Sequence, residues 1–131
     1  MLDHTLENAL AEFLRSALDG VHVATGHEDE SRILPLVTIS SKSDSLAGSA
    51  TVFRADVSLT IESESHDSKP NEHAALVEKV RLQFADKFVA TTTINARGGV
   101  HIYGYAFAGS SIEVDGARFR TTLSLKVGYG S

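Results

Sequence analysis

The segment Val52-Phe53-Arg54-Ala55-Asp56-Val57-Ser58-Leu59-Thr60-Ile61-Glu62 decides the fold. Phe53, Ala55, Val57, Leu59 and Ile61 alternate with Arg54, Asp56, Ser58, Thr60 and Glu62, so one face is dry and the other wet. A strand of that kind belongs to a sheet covered on one side only, which favours antiparallel pairing. Working outward, Ile33 to Ser41 reads as a partner strand, with Pro35 near its start where a missing N–H is tolerated. The two strands pair antiparallel across residues 42–50, a Ser-, Gly- and Asp-rich connection. On the C-terminal side, Val100 to Phe107 is a strand interrupted by Gly104, with Tyr103 and Tyr105 placed on one face. Ile112 to Val114, an Asp115-Gly116 turn and Ala117 to Tyr129 then read as a hairpin. Its second arm alternates Phe119, Thr121, Leu123, Leu125 and Val127 with Arg120, Thr122, Ser124 and Lys126.

The dry faces need helices. Leu2, Leu6, Ala9, Leu10, Phe13, Leu14, Ala17 and Leu18 form one helical stripe that Gly20 can end. Glu7 suits the positive end of that helix dipole. Pro70 fits the first position of a second helix, whose stripe within 71–88 is Leu76, Val77, Val80, Phe84 and Phe88. Residues 24–32, with Glu28, Asp29 and Glu30 in a row, lack periodicity and read as an exposed loop. Residues 89–99 carry three threonines and a Gly-Gly pair and read mostly as loop. The order is α-β-β-α-β-β: a single α+β domain over 1–131, with a mainly antiparallel four- to five-stranded sheet and two flanking helices.

Composition narrows the function. With 131 residues, 42% of them hydrophobic, the chain has enough for one core and is too apolar to be disordered as a whole. A net charge of −5 argues against gripping nucleic-acid phosphate as the main task. The absence of cysteine removes disulfides, thiol catalysis and Cys-containing zinc sites. No apolar run reaches the length of a membrane span, and Met1-Leu2-Asp3-His4 is the wrong shape for a signal peptide.

Chemical motifs are sparse. His66-Asp67 and Glu72-His73 make the densest cluster of metal-type ligands, and a small metal-binding enzyme could be built on it. A solvated, helix-capping turn explains the same residues, and the spacing is not that of a His-Glu-x-x-His helix. Gly48-Ser49-Ala50 and Gly109-Ser110-Ser111 lack the setting of a nucleophile elbow. Glu28-Asp29-Glu30 and Glu62-Ser63-Glu64 read as solvated acids rather than a catalytic pair. Arg97-Gly98-Gly99 is too short for a phosphate cradle. An RNA-binding reading would use Tyr103 and Tyr105 as a stacking platform, against the net charge. What stands out instead is the wet rows of the two long strands, where cations, anions and hydroxyls mix.

These pieces in this order resemble the tail terminator, or tail completion, proteins of long-tailed bacteriophages and prophages. The matching parts are the opening helix Leu6 to Leu18, Leu34-Pro-Leu-Val-Thr-Ile39 after an acidic loop, and Val52 to Glu62 running into Ser63-Glu64-Ser65. They continue with His73-Ala-Ala-Leu-Val-Glu-Lys-Val-Arg81, His101-Ile-Tyr-Gly104 and Arg118-Phe-Arg-Thr-Thr-Leu-Ser-Leu125. The resemblance implies a structural virion protein with no catalytic residues, metal or cofactor, made in the host cytoplasm. It implies a ring, hexameric in the family, that caps the head-proximal end of the tail tube and docks the head connector. Its partners are then itself, the tail-tube protein and a connector or head-closure protein, with DNA passing through the lumen and no membrane. A different head–tail neck or connector-adaptor protein is the nearest alternative. Candidate contact residues are the charged loop and strand-face positions Glu28, Asp29, Glu30, Lys42, Asp44, Arg54, Asp56, Arg97, Arg118, Arg120 and Lys126.

Overall fold

The computed structural model describes residues 2–25, 35–45, 52–64, 70–115 and 118–130. The elements are α1 (Leu2–Ala17), β1 (His22–Thr25), β2 (Leu36–Ser45), β3 (Val52–Glu64), α2 (Pro70–Gln83), α3 (Lys87–Ala96), β4 (His101–Asp115) and β5 (Arg118–Gly130). The fold is α+β, with a five-stranded sheet in the order β1-β2-β3-β5-β4. β1 runs parallel to β2, and the remaining pairs are antiparallel. The expected β2–β3 pairing forms with Leu59 opposite Ile39.

All three helices share one core with a single sheet face. Val37, Ile39, Val57, Leu59, Ile61, Leu123, Leu125 and Tyr129 are buried together with Leu6, Leu10 and Leu14 of α1, Val80 of α2 and Ile94 of α3. Phe84, at the end of α2, meets Phe13 of α1 edge-on at 5.4 Å and Tyr105 of β4 at 5.7 Å, joining three elements around one ring. The opposite sheet face carries no helix among the described residues.

Five local expectations are corrected. First, the loop assigned to 24–32 begins inside a strand: Val23, Ala24 and Thr25 are buried in β1 beside β2. Four residues are too few to show a period. Second, Lys42 to Ser45 continue β2 rather than opening a loop. Third, the stripe over 71–88 is two helices. Phe84 N–H and Ala85 N–H bond to the carbonyls of Arg81 and Leu82, a tightened last turn, and Asp86 caps a new helix by accepting from Val89 N–H at 3.1 Å. Phe88, read as core, is 78% exposed.

Fourth, residues 87–96 are α3 rather than loop. Its threonines are poor helix formers, and burial of Ala90 and Ile94 overrides them. Gly98 and Gly99, at φ of 79° and 88°, supply the left-handed turn into β4. Fifth, the two C-terminal strand fragments are one strand, β4, with register breaks at Tyr103 and Ala108. The helices thus number three, and the order is α-β-β-β-α-α-β-β. The loop positions 26–32 and 46–50, and Gly116 of the hairpin turn, lie outside the described residues.

Glu7 has a different task from the dipole role expected of it. It is 1% exposed, and its Oε2 accepts from Ser41 N–H at 2.8 Å and Ser41 Oγ at 3.2 Å. Pairing of β1 with β2 ends at Thr25 opposite Ile39, so an α1 carboxylate takes over the backbone group two residues further on.

Candidate functional site

The face bare of helices is a candidate surface, and cross-strand register lays it out in rows. At one end Asp44 stands opposite Arg54 and Lys42 opposite Asp56, with Lys126 on the far side of Asp56. Lys126 Nζ reaches Asp56 Oδ1 at 3.0 Å. At the other end Arg120 lies between Glu62 and Glu113, at 3.4 and 3.3 Å. The hydrogen bond that Arg120 donates to Glu113, aided by the Glu62 charge, holds its guanidinium above the ordinary pKa. Between the charged ends runs an uncharged band of hydroxyls: Thr38, Thr60 and Thr122 in one row, Ser40, Ser58 and Ser124 in the next.

Lys42, Asp44, Arg54, Asp56, Arg120 and Lys126 therefore share one face, as the alternation of β3 and β5 requires. Arg118 occupies the register position opposite Glu64 and Asp115. Arg97 is elsewhere. It follows the last turn of α3, donates to Ser16 Oγ at 2.6 Å and approaches Glu12 at 3.9 Å, stapling α3 to α1. Glu28, Asp29 and Glu30 lie outside the described residues. Sequence reading did not single out Glu113, because an Asp115-Gly116 turn would set it opposite Arg118, whereas the strands pair Asp115 with Arg118 and so bring Arg120 opposite Glu113.

The histidine cluster does not converge as a ligand set among the described residues; His66 and Asp67 lie outside them. Glu72 is exposed, whereas His73 is buried. The His73 ring bonds Ser63 Oγ through Nδ1 at 2.6 Å and Thr121 Oγ1 through Nε2 at 2.8 Å, with Phe119 stacked at 5.5 Å. Both nitrogens are engaged with hydroxyls on two strands, so the ring ties α2 to the sheet. Burial pushes its pKa below the usual histidine value. Among the described residues no group of three or more His, Asp or Glu is placed to hold a metal.

The tyrosine platform is corrected as well. The break at Tyr103 puts Ile102 and Tyr105, not Tyr103 and Tyr105, on the helix side. Tyr105 is 8% exposed, donates its hydroxyl to the Phe84 carbonyl at 2.6 Å and has Lys87 Nζ 5.8 Å from its ring centre. Tyr103 points outward and meets His101 edge-on at 4.9 Å. One exposed ring gives no two-base stack.

An open depression of about 300 Å³ lies beside Phe53, Arg54, Lys126, Val127 and Gly128. It presents two cations, of which Lys126 is paired with Asp56, and no nucleophile beside a base. Among the described residues no helix is long and apolar enough to cross a membrane. No protein-family model matches the chain, and a search of curated proteins finds no match.

Proposed function

We propose that the chain is a structural assembly subunit of a long-tailed phage particle, acting as a ring-forming tail terminator. The observation that carries the reading is the bare sheet face, on which Arg120 and Lys126 are already matched to anions. Such a face can pack against a neighbour or border a water-filled channel with those two charges already compensated. With a net charge of −5, the subunit would repel DNA, favouring passage over capture. The identity of the assembly, as tube end rather than another neck position, rests on the sequence resemblance.

The test is to polymerise the cognate tail-tube protein with and without this chain. Tube lengths are measured by electron microscopy and the mass of the free chain by light scattering. Tubes that stop growing and carry a ring at one end support the terminator reading. Binding to a head-closure protein without any effect on tubes assigns the chain to the neck instead. A chain that leaves tube length unchanged and binds no neck protein refutes both.

A further inference from the structure

β4 is an edge strand of fifteen residues, and among the described residues its free edge is guarded at one end only. Asn95 of α3 accepts from Ile102 N–H at 2.7 Å and donates to Ile102 O at 3.2 Å, occupying both backbone groups there. From Gly104 onward no strand among the described residues lies along that edge. Proteins blunt such edges with charge, proline or a cover. Here the run Tyr103-Gly-Tyr-Ala-Phe-Ala-Gly-Ser-Ser-Ile112 has no charged residue and no proline.

The same stretch exposes apolar side chains on the helix side. Phe107 and Ile112 stand opposite Leu125 and Thr121, which are buried, yet they are themselves 39% and 75% exposed. α3 covers the start of β4 and α2 lies over β3 and β5, with Phe84 at its end meeting Tyr105 and, at 6.4 Å, Phe107, so the helices leave the edge open beyond Phe107.

We propose that this edge docks a second copy of the chain, antiparallel, about a two-fold axis through Ser110. Opposed residues in an antiparallel pair share a face, so the break at Ala108 is skipped on both copies. Phe107 then faces Ile112 of the second copy, twice by symmetry, and the exposed apolar pairs cover one another. Ala106 faces Glu113 and Gly104 faces Asp115, so like charges never meet. A shift of the axis toward Phe107 would drive the second strand into the Asn95–Ile102 contact. The self-complementary register and the lack of any charge for a foreign peptide to read make a second copy the occupant.

The contact is small. About ten paired residues span roughly 33 Å, and a strip of that length buries on the order of 700 Å² in total, below the standard interface size. The result is a reversible dimer, with dissociation on the order of 10–100 µM. A two-fold pair is not a contact of a cyclic ring. It is the resting state of the free chain, released before any larger assembly, and it does not rest on the virion reading.

The absence of cysteine makes the test direct. Ser110→Cys is oxidised and run against Ser111→Cys, whose two copies are offset along the strands and fall outside disulfide geometry. The expected result is a covalent dimer with Ser110→Cys and at least tenfold less with Ser111→Cys. Sedimentation from about 1 µM to about 1 mM, which brackets weak dimers, is expected to show the wild type rising from 14.0 kDa toward twice that mass. Ile112→Lys changes a residue that is 75% exposed, so the chain still folds, and it is expected to weaken the dimer at least tenfold with an unchanged circular dichroism spectrum. A mass fixed at 14.0 kDa over the whole range, equal cross-linking at both cysteines, or a dimer indifferent to Ile112→Lys each overturns it.

Discussion

Removing the His73 ring tests whether α2 is tied to the sheet by hydrogen bonds or merely lies on it. His73 is 6% exposed and joins Ser63 and Thr121, the latter 2% exposed. His73→Ala deletes two hydrogen bonds worth about 0.5–1.5 kcal/mol each, and strands the Thr121 hydroxyl at a further cost of about 1 kcal/mol. Loss of the contact with Phe119 adds to this, so a total of about 2–4 kcal/mol is expected. For a chain of this size that is a fall in Tm on the order of 10 °C. His73→Gln, which can still donate and accept, should cost less than half as much.

The pH dependence supplies a readout that packing alone cannot mimic. Burial lowers the pKa of His73 below 6.5, so the folded state favours the neutral ring. Stability from this group is complete above the unfolded value. It falls as pH drops through 6.5 toward the lower folded value, and it then levels off. Among the described residues, the groups bonded to or stacked on the ring are two hydroxyls and a phenyl. Urea unfolding of wild type and His73→Gln at several pH values from 8 down to 5 isolates the term by difference. Parallel curves for the two proteins would refute the assignment, as would a wild type that gains stability on acidification relative to the variant.

Leu59 is fully buried at the middle of the sheet, and Leu59→Ala should cost about 2–5 kcal/mol in urea unfolding, with an unchanged m-value. Asp86→Ala removes the cap of α3 and should cost about 1 kcal/mol, read by thermal unfolding. Asn95→Ala frees both backbone groups of Ile102, so hydrogen exchange at that amide should accelerate at least tenfold while amides in β3 keep their protection. Lys126→Ala, at an exposed ion pair, should change stability by less than about 0.5 kcal/mol.

Legibility followed the length of the repeating signal. β3 and β5 carry full alternation, so their dry and wet faces, and with them the charged candidates Arg54, Asp56, Arg120 and Lys126, could be placed from residue order alone. α1 was equally plain. Elements whose stability comes from elsewhere were not. β1 is four residues long and exists because β2 pairs with it. α3 overrides its threonines through two buried side chains and a cap. The break between α2 and α3 hides inside a continuous apolar stripe, because Phe84 and Phe88 obey helical spacing while pointing to different environments. Bulges have no signature of their own in the order of residues, so Tyr103 and Tyr105 were assigned a common face that the backbone denies them. The same blindness concealed the open edge: Phe107 and Ile112 are five apart and share a face only because Ala108 is skipped.

The two unpartnered surfaces ask different things of a partner. On the bare face, Lys126 and Arg120 already have anions, so a neighbour bringing its own charges must compete with pairs 3.0–3.4 Å long and strip water from both sides. Single charge reversals there should shift association rates and salt sensitivity more than final affinity. Recognition across that face therefore depends on outline, and the flat hydroxyl band suits a surface without protrusions. The β4 edge works by the opposite rule. Its backbone groups gain one partner each or none, and a slip of one residue moves Phe107 and Ile112 to the wrong face. An edge contact is therefore decided by register, in whole steps, whereas a face contact is graded by fit. Substitutions along β4 should then abolish or spare association outright, while those on the wet rows tune it. A series at both surfaces, measured by mass and by salt dependence, separates the two rules in one protein.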